Sequence, residues 1–333
     1  MRIILTKKLN SKSYNITNLL VGYTWEGSIE KGTRTFSFDV INAPLDSNLM
    51  SYIPVFAIGD TISFYTDSDY AVPDYLLFFG QIESTGKKNN KGTITYTCHD
   101  LLIHLTRSST YRTYNAPAEA IAASICGEFG MTVQYLAPTG VNIGITVFED
   151  KTYFDIISEC YKKASLSTGQ KYFMGMDGDK FYTQVEGYPL LTIKISDGTD
   201  KENGGKGNIL SGTFNESMSD IINRVNVYDS DGKFQTRVED AESINRYGLF
   251  ETNYTIEKDV DMVTGAKSQL HGVDTDIDFE VMGEVNYWSG RSVMVHDSAT
   301  GLEGQYLIIN DTHNWSGGKY TTKLKLRYMG LVG

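Results

Sequence analysis

Apolar side chains recur at every second residue in short runs along most of this chain, and that period restricts it to strands paired with neighbours. Arg34-Thr-Phe-Ser-Phe-Asp-Val40 puts Phe36, Phe38 and Val40 on one face. Thr61–Tyr65 and Thr93–Cys98 repeat the pattern, with Lys87–Gly92 between them as a polar hairpin tip. Runs this short, at this spacing, predict an antiparallel barrel or sandwich. Twenty-two tyrosines and fifteen phenylalanines support strands over helices. Hydrophobic residues make up 41% of the 333, enough for packed cores and against a disordered chain.

The period changes from two to 3.6 near Tyr111. Asn115 can cap a helix with Pro117 in its first turn; Ile121, Ile125 and Phe129 then share a face, and Gly130 can end it. A second helix is predicted from Thr152, with Asp155 three residues on as in a capping box. Its apolar positions are Tyr153, Ile156, Ile157, Cys160, Tyr161 and Ala164, and Gly169 stops it. A hairpin follows, 171–175 and 180–185 around Asp177-Gly-Asp179. The Gly-rich loop Asp197–Asn208 reads as a boundary, after which strands return at 221–228, 233–238, 275–281, 291–296, 305–310 and 320–328. The expected order is β domain (1–108), α+β insert (109–195), β domain (196–333), with no direct repeat between the two β regions.

The net charge of −11 is unevenly spread, since the stretch 229–284 alone carries −9. So acidic a chain is poorly suited to gripping a phosphate backbone, though it could line a passage that nucleic acid crosses without sticking. On a strand, Asp274, Asp276, Asp278 and Glu280 point to one face, backed by Thr275, Ile277, Phe279 and Val281 on the other. The segment departs from a calcium loop, with Phe279 where the turn glycine belongs and Val285 in place of the terminal Glu. On the last strand Tyr320, Thr322, Leu324, Leu326 and Tyr328 form an inner face, while Lys323, Lys325 and Arg327 form a basic outer row. Either row is a solvated face or one side of an electrostatically complementary subunit contact.

Motifs for catalysis are missing from the sequence. Gly204-Gly-Lys206-Gly207 lacks the Ser or Thr and the upstream glycine of a phosphate-binding loop. The five histidines, at 99, 104, 271, 296 and 313, show no metal-ligand spacing. His99-Asp100, His296-Asp297 and Asp311-x-His313 join imidazoles to carboxylates, but no nucleophile elbow or reactive-cysteine context completes a triad, so each reads as a turn or strand-end residue. Glu149-Asp150 and Glu26/Glu30 are the pairs expected by chance among 41 acidic residues rather than glycosidase carboxylates. Three cysteines build no disulfide framework, and Cys126 and Cys160 fall on apolar helix faces. Ile3–Leu5 is too short for a signal peptide's apolar core, and no run approaches a membrane span, so a soluble chain made in the cytoplasm without a membrane anchor is expected. No cofactor and no enzymatic activity are expected.

Several segments carry a resemblance when taken in order. His99-Asp-Leu-Leu-Ile-His-Leu105 leads to the helix Ala118–Gly130; then come Asp155–Tyr161, Gly169–Met174, Asn223-Arg-Val-Asn-Val227, Ser243–Leu249, Gly290–Val295 and Gly301–His313, leading into Leu324-Lys-Leu326. In order and spacing, from about Gly27 to Tyr328, they resemble the baseplate hub proteins of PBSX-type defective prophages, contractile phage tails and R-type bacteriocins. The resemblance implies two tail-tube-like antiparallel β-barrel domains flanking a small α+β domain. It further implies a homotrimer whose six barrels continue a sixfold tail tube or tube-end protein and seat a threefold central spike. A tape-measure protein would be a neighbour, DNA would pass through the lumen, and the particle would leave the cell by lysis. The alternative class is a β-sandwich cell-wall hydrolase or carbohydrate-binding protein.

Overall fold

The computed structural model describes residues 1–66, 74–87, 92–199, 205–256 and 261–330. Within them the chain is mainly β, with an α+β insert, as its periodicities require. Compactness divides it in two: 1–212 with 278–333, and a smaller unit, 213–277. The expected boundaries after 108 and 195 follow secondary-structure content instead, and belong to the proposal below.

The larger unit is organised by one sheet, fourteen-stranded among the described residues. Its path from the amino-terminal side runs Ser13–Asn15, Arg2–Thr6, Thr61–Tyr65, Leu76–Lys87, Thr93–Asp100, Thr35–Ile41 and Leu20–Ser28. It continues into the carboxy-terminal region through Leu302–Ser316, Lys319–Gly330, Asp274–Met282 and Ile209–Ser217. The join is one long strand, Leu302–Ser316. Its first half pairs antiparallel with Arg291–Asp297, and its second half with Leu20–Ser28. A register shift between Ile308 and Asn310, against Lys319–Gly330, marks the changeover, where a bulge lets a strand bend.

Alternation predicts the burial on these strands. Phe36, Phe38, Val40, Ile62 and Phe64 are all buried. Phe36 lies 5.2 Å from Phe64 and 5.6 Å from Phe78 between ring centroids, so one aromatic cluster fills this core. Each such ring contributes roughly 1.5–3 kcal/mol by leaving water. Val285 and Trp288, from the far end of the sequence, complete the same core. The predicted hairpin tip falls between strands ending at Lys87 and starting at Thr93; its residues 88–91, like 200–204 of the Gly-rich loop, lie outside the described residues.

The insert packs the helices Ala118–Glu128 and Tyr153–Thr168 over a three-stranded sheet. Ile121, Ile125, Cys126, Ile156, Ile157, Cys160 and Tyr161 share its core. The first helix starts later than expected. Pro117 takes the cap position with extended backbone, because a proline drives the residue before it, Ala116, out of helical conformation and so forbids a cap at Asn115. The second helix starts as expected, with the Thr152 hydroxyl accepting from the Asp155 N–H at 3.0 Å, and ends at Gly169 with φ +70°. The smaller unit has its own small core of Val225, Val227, Tyr254 and Ala266.

Thr152→Ala removes the side-chain N-cap of the second helix. It is expected to lower stability by about 1 kcal/mol in urea denaturation followed by circular dichroism.

Candidate functional site: a charged strand pair and the buried seam beside it

The two charged rows singled out in the sequence are neighbours. Asp274–Met282 hydrogen-bonds to Lys319–Gly330 in the large sheet. Alternation holds over most of both: Ile277, Phe279 and Val281 are buried, as are Thr322, Leu324 and Leu326, whereas Thr275, expected on the inner face, is exposed near the start of its strand. Tyr328, expected inside, is 48% exposed, after a register shift between Gln305 and Tyr306 on the partner strand. On the polar faces Asp278 and Lys323 are exposed, while Asp274, Asp276, Glu280, Lys325 and Arg327 are half-buried. Arg327 donates to the Glu186 carboxylate at 2.5 Å, and the Asp274 carboxylate meets His271 Nε2 at 2.8 Å. Asp278 and Glu280 belong to the larger unit, and Asp274 and Asp276 to the smaller.

Beside the basic strand, on Leu302–Ser316, sits a buried ionic cluster that the sequence does not announce. Asp311 lies opposite Gly27 in the sheet and is fully enclosed. Its Oδ1 accepts from Arg34 Nη1 at 3.2 Å and from the Ser289 N–H at 2.6 Å; its Oδ2 takes the second arm of the Arg34 fork and lies 3.3 Å from His313 Nε2. Every carboxylate oxygen therefore has donors, the condition under which a buried ion pair is tolerated. The guanidinium sits 4.1 Å from the Trp25 ring and 5.7 Å from the Trp288 ring, which stand edge to face. Gly27 makes room for it, since a Cβ there would overlap the Arg34 guanidinium.

The cluster continues on both sides. Asp100 accepts from the Arg34 N–H at 2.9 Å and from the Leu102 N–H at 3.0 Å. His313 was expected at a turn or strand end but lies within a strand and is fully buried. Its Nε2 is 3.1 Å from the Tyr287 carbonyl and its Nδ1 is 2.8 Å from the Tyr320 hydroxyl. Those partners suit a neutral imidazole protonated at Nε2, and burial holds its pKa below the ordinary histidine value. Three other histidines pair with carboxylates: His99 with Glu83 at 2.9 Å, His296 with Glu303, and His271 with Asp274 as above. Cys126 and Cys160 are buried as predicted, with thiols pushed up to about 12 by burial, and so are unreactive. Glu149 and Asp150 are both exposed, and Asp150 accepts from the Ser109 hydroxyl. No cluster of metal-ligating side chains occurs among the described residues.

Burial alone would raise the Asp311 pKa, but Arg34 and His313 outweigh it and hold the carboxyl well below its ordinary 3.8. Its contribution to stability is present above that value and is lost as pH falls through the folded one. Asp100 has the opposite sign: burial pushes it up to about 7 against its two N–H donors and Arg34, so its contribution is full below 3.8 and fades as pH rises through about 7. The stability gap between wild type and Asp100→Ala should therefore narrow from about pH 4 to about pH 8 in thermal melts, whereas a pH-independent gap contradicts this assignment. Arg34→Met strands the Asp311 carboxylate and is expected to cost about 3–5 kcal/mol, with Arg34→Met/Asp311→Leu recovering most of it, as read by unfolding followed through tryptophan fluorescence.

Three comparisons place this architecture. Among solved structures the chain is similar to the 43 kDa tail protein of prophage MuSo2 from Shewanella oneidensis, with TM-score 0.73 and 14% identity, covering 98% of this chain and 97% of that one. It is similar to the tail protein from Neisseria meningitidis MC58, with TM-score 0.66 and 15% identity over 99% and 96% of the two chains. It is also similar to a chain of the Francisella PdpA–VgrG complex, with TM-score 0.56 and 10% identity, covering 100% of this chain but 60% of that one. At such identities the likeness is one of fold. A search of curated proteins gives no match. A family model described as YQBQ-like matches residues 23–327, which span the long strand Leu302–Ser316, the insert and both charged rows, and the chain belongs to that family.

Proposed function

We propose that this protein is a structural tail component of a phage-derived contractile particle, the baseplate hub between the tail tube and the central spike. The carrying observation is the end-to-end likeness to a prophage tail protein, over 98% of this chain and 97% of that one. The likeness in fold to a chain of a PdpA–VgrG complex suits a component of a larger assembly. In this reading the 1–108 and 196–333 regions each supply a tube-like barrel and the 109–195 insert joins them. Three chains then offer six barrels to a sixfold tube or tube-end protein and a threefold face to the spike. Closure of such a ring satisfies the rule that heterologous contacts must close or polymerise. A tape-measure protein lies above the hub, and an acidic lumen lets DNA pass without adhering. The particle is a PBSX-type prophage particle, a contractile phage tail or an R-type bacteriocin, and is released by lysis. No helix among the described residues is long and apolar enough to cross a membrane, which suits a particle component. The work of such a hub is to transmit force, which calls for contact surfaces rather than catalytic residues.

The charged strand pair is the proposed contact surface. In the larger unit its members are Asp278 and Lys323, which are exposed, and Glu280, Lys325 and Arg327, which are half-buried; Asp274 and Asp276, also half-buried, are the smaller unit's share of the acidic row. Rim charges of this kind govern association rate and partner choice more than fold.

Mass photometry of the purified chain, alone and with its tube and spike proteins, should give a trimer in at least one of these mixtures. A strict monomer in all of them overturns the hub reading. Lys323→Glu is expected to leave the thermal melt unchanged within about 0.5 kcal/mol while reducing incorporation into particles.

A further inference from the structure

A cavity of about 190 Å³ in the larger unit has a chemistry that the assembly role does not use. It forms where the insert's sheet meets the start of the strand Arg291–Asp297. Parallel pairing sets Tyr182 opposite Tyr135, and Gly187 opposite Arg291, which brings Tyr188 to the same wall. Gly290, at φ +93°, lets the chain turn here, and a Cβ on it would run into the Phe173 ring.

The lining is charge-balanced, with one carboxylate, Asp177, and one guanidinium, Arg291. Asp177 Oδ2 accepts from the Tyr75 hydroxyl at 2.5 Å and from Gln134 Nε2 at 3.0 Å. Asp177 Oδ1 is shielded from solvent and makes no hydrogen bond among the described residues, so the carboxylate acts on an incoming group through its charge. Arg291 is fixed by its 4.1 Å approach to the Trp288 ring and by donating to the Asn286 carbonyl at 3.2 Å. Gln184 adds an amide to the wall. At the mouth, Tyr135 is 45% exposed and Tyr188 is 62% exposed, so both rings present faces to an incoming group.

These features select the ligand class. A cation would be repelled by Arg291 and an anion by Asp177. A purely apolar group would take water from the Arg291 guanidinium and the Gln184 amide without giving them an acceptor. A neutral polyol meets these requirements: its hydroxyls accept from Arg291 or a glutamine amide, and its C–H face covers a tyrosine ring. The volume is below the roughly 300–1,000 Å³ of drug-sized sites, so one sugar ring fits rather than a long chain. We propose that this cavity is a saccharide-binding subsite that takes one neutral pyranose unit at the edge of a glycan. The subsite is additional to the assembly role, and failure of either leaves the other standing.

Saturation-transfer-difference NMR and fluorescence titration with N-acetylglucosamine, its trimer and cellotriose test this on the full-length chain, since Trp288 lines the cavity and reports occupancy. Saturable binding to at least one of these, with a dissociation constant on the order of 1 mM, is expected. Tyr188→Ala and Asp177→Asn should each weaken it about tenfold or more; Tyr188 is exposed, so its loss spares the fold, which an unchanged melt verifies. Absence of binding to all three sugars, binding unaffected by both substitutions, or occupancy by arginine methyl ester instead would overturn the proposal.

Discussion

Burying one guanidinium sets conditions that much of the larger unit then meets. Arg34 comes from the amino-terminal β region and Asp311 from the carboxy-terminal one, 277 positions apart. Neither charge is tolerable in that interior without the other. The pair forms only if Leu302–Ser316 lies in register against Leu20–Ser28, because Asp311 must face Gly27. A slip of one residue would turn Asp311 away from Arg34 and expose the apolar set to water. Trp25, Trp288 and Ser289 close around the pair, so the seam is both ionic and aromatic. In a part proposed to carry thrust between tube and spike, a single enforced register between the two halves is the useful property.

The same strand explains why the two β regions do not separate into independent cores. Leu302–Ser316 is shared: Arg291–Asp297 takes its first half, Leu20–Ser28 its second, and Lys319–Gly330 its other edge. Trp288 then works twice. It packs in the amino-terminal core near Trp25 and Arg34, and it carries Arg291 over its ring at the wall of the proposed sugar cavity. The seam and the cavity therefore share a side chain while facing different chemistry. One is an enclosed ion pair whose carboxylate oxygens all have donors; the other is an open concavity lined by one charge of each sign and by aromatic rings.

Charge is the other organising quantity. The excess in 229–284 gives the smaller unit most of its acidity, and the acidic row on Asp274–Met282 runs from that unit into the larger one. Its neighbour in the sheet is the basic strand Lys319–Gly330. Within the larger unit, Asp278 and Glu280 lie on the strand next to the one that carries Lys323, Lys325 and Arg327, and Arg327 donates to Glu186. A partner docking on these strands would meet both signs of charge, which favours one orientation over many.

Local interactions wrote the readable part of this protein into its sequence. The period of two placed Phe36, Phe38, Val40, Ile277, Phe279 and Val281 inside, and the period of 3.6 placed the insert's helices, because those patterns depend only on neighbours within a few residues. Thr152 and Gly169 marked helix ends for the same reason. Asn115 failed as a cap through a local effect that outranked it, the restriction Pro117 puts on Ala116. The seam was illegible. Arg34 looks like any strand-edge arginine, Asp311-x-His313 looks like a strand end, and Gly27 carries no hint that it makes room for a guanidinium. Their roles arise from pairings across nearly the whole chain, and the cavity likewise needs Gln134, Asp177, Tyr188 and Arg291 from four separate segments. Sequence determined which residues face inward and which class of fold results; only the tertiary structure decided which charges meet, since burial turns an ordinary ion pair into a requirement and no local pattern encodes a partner hundreds of residues away.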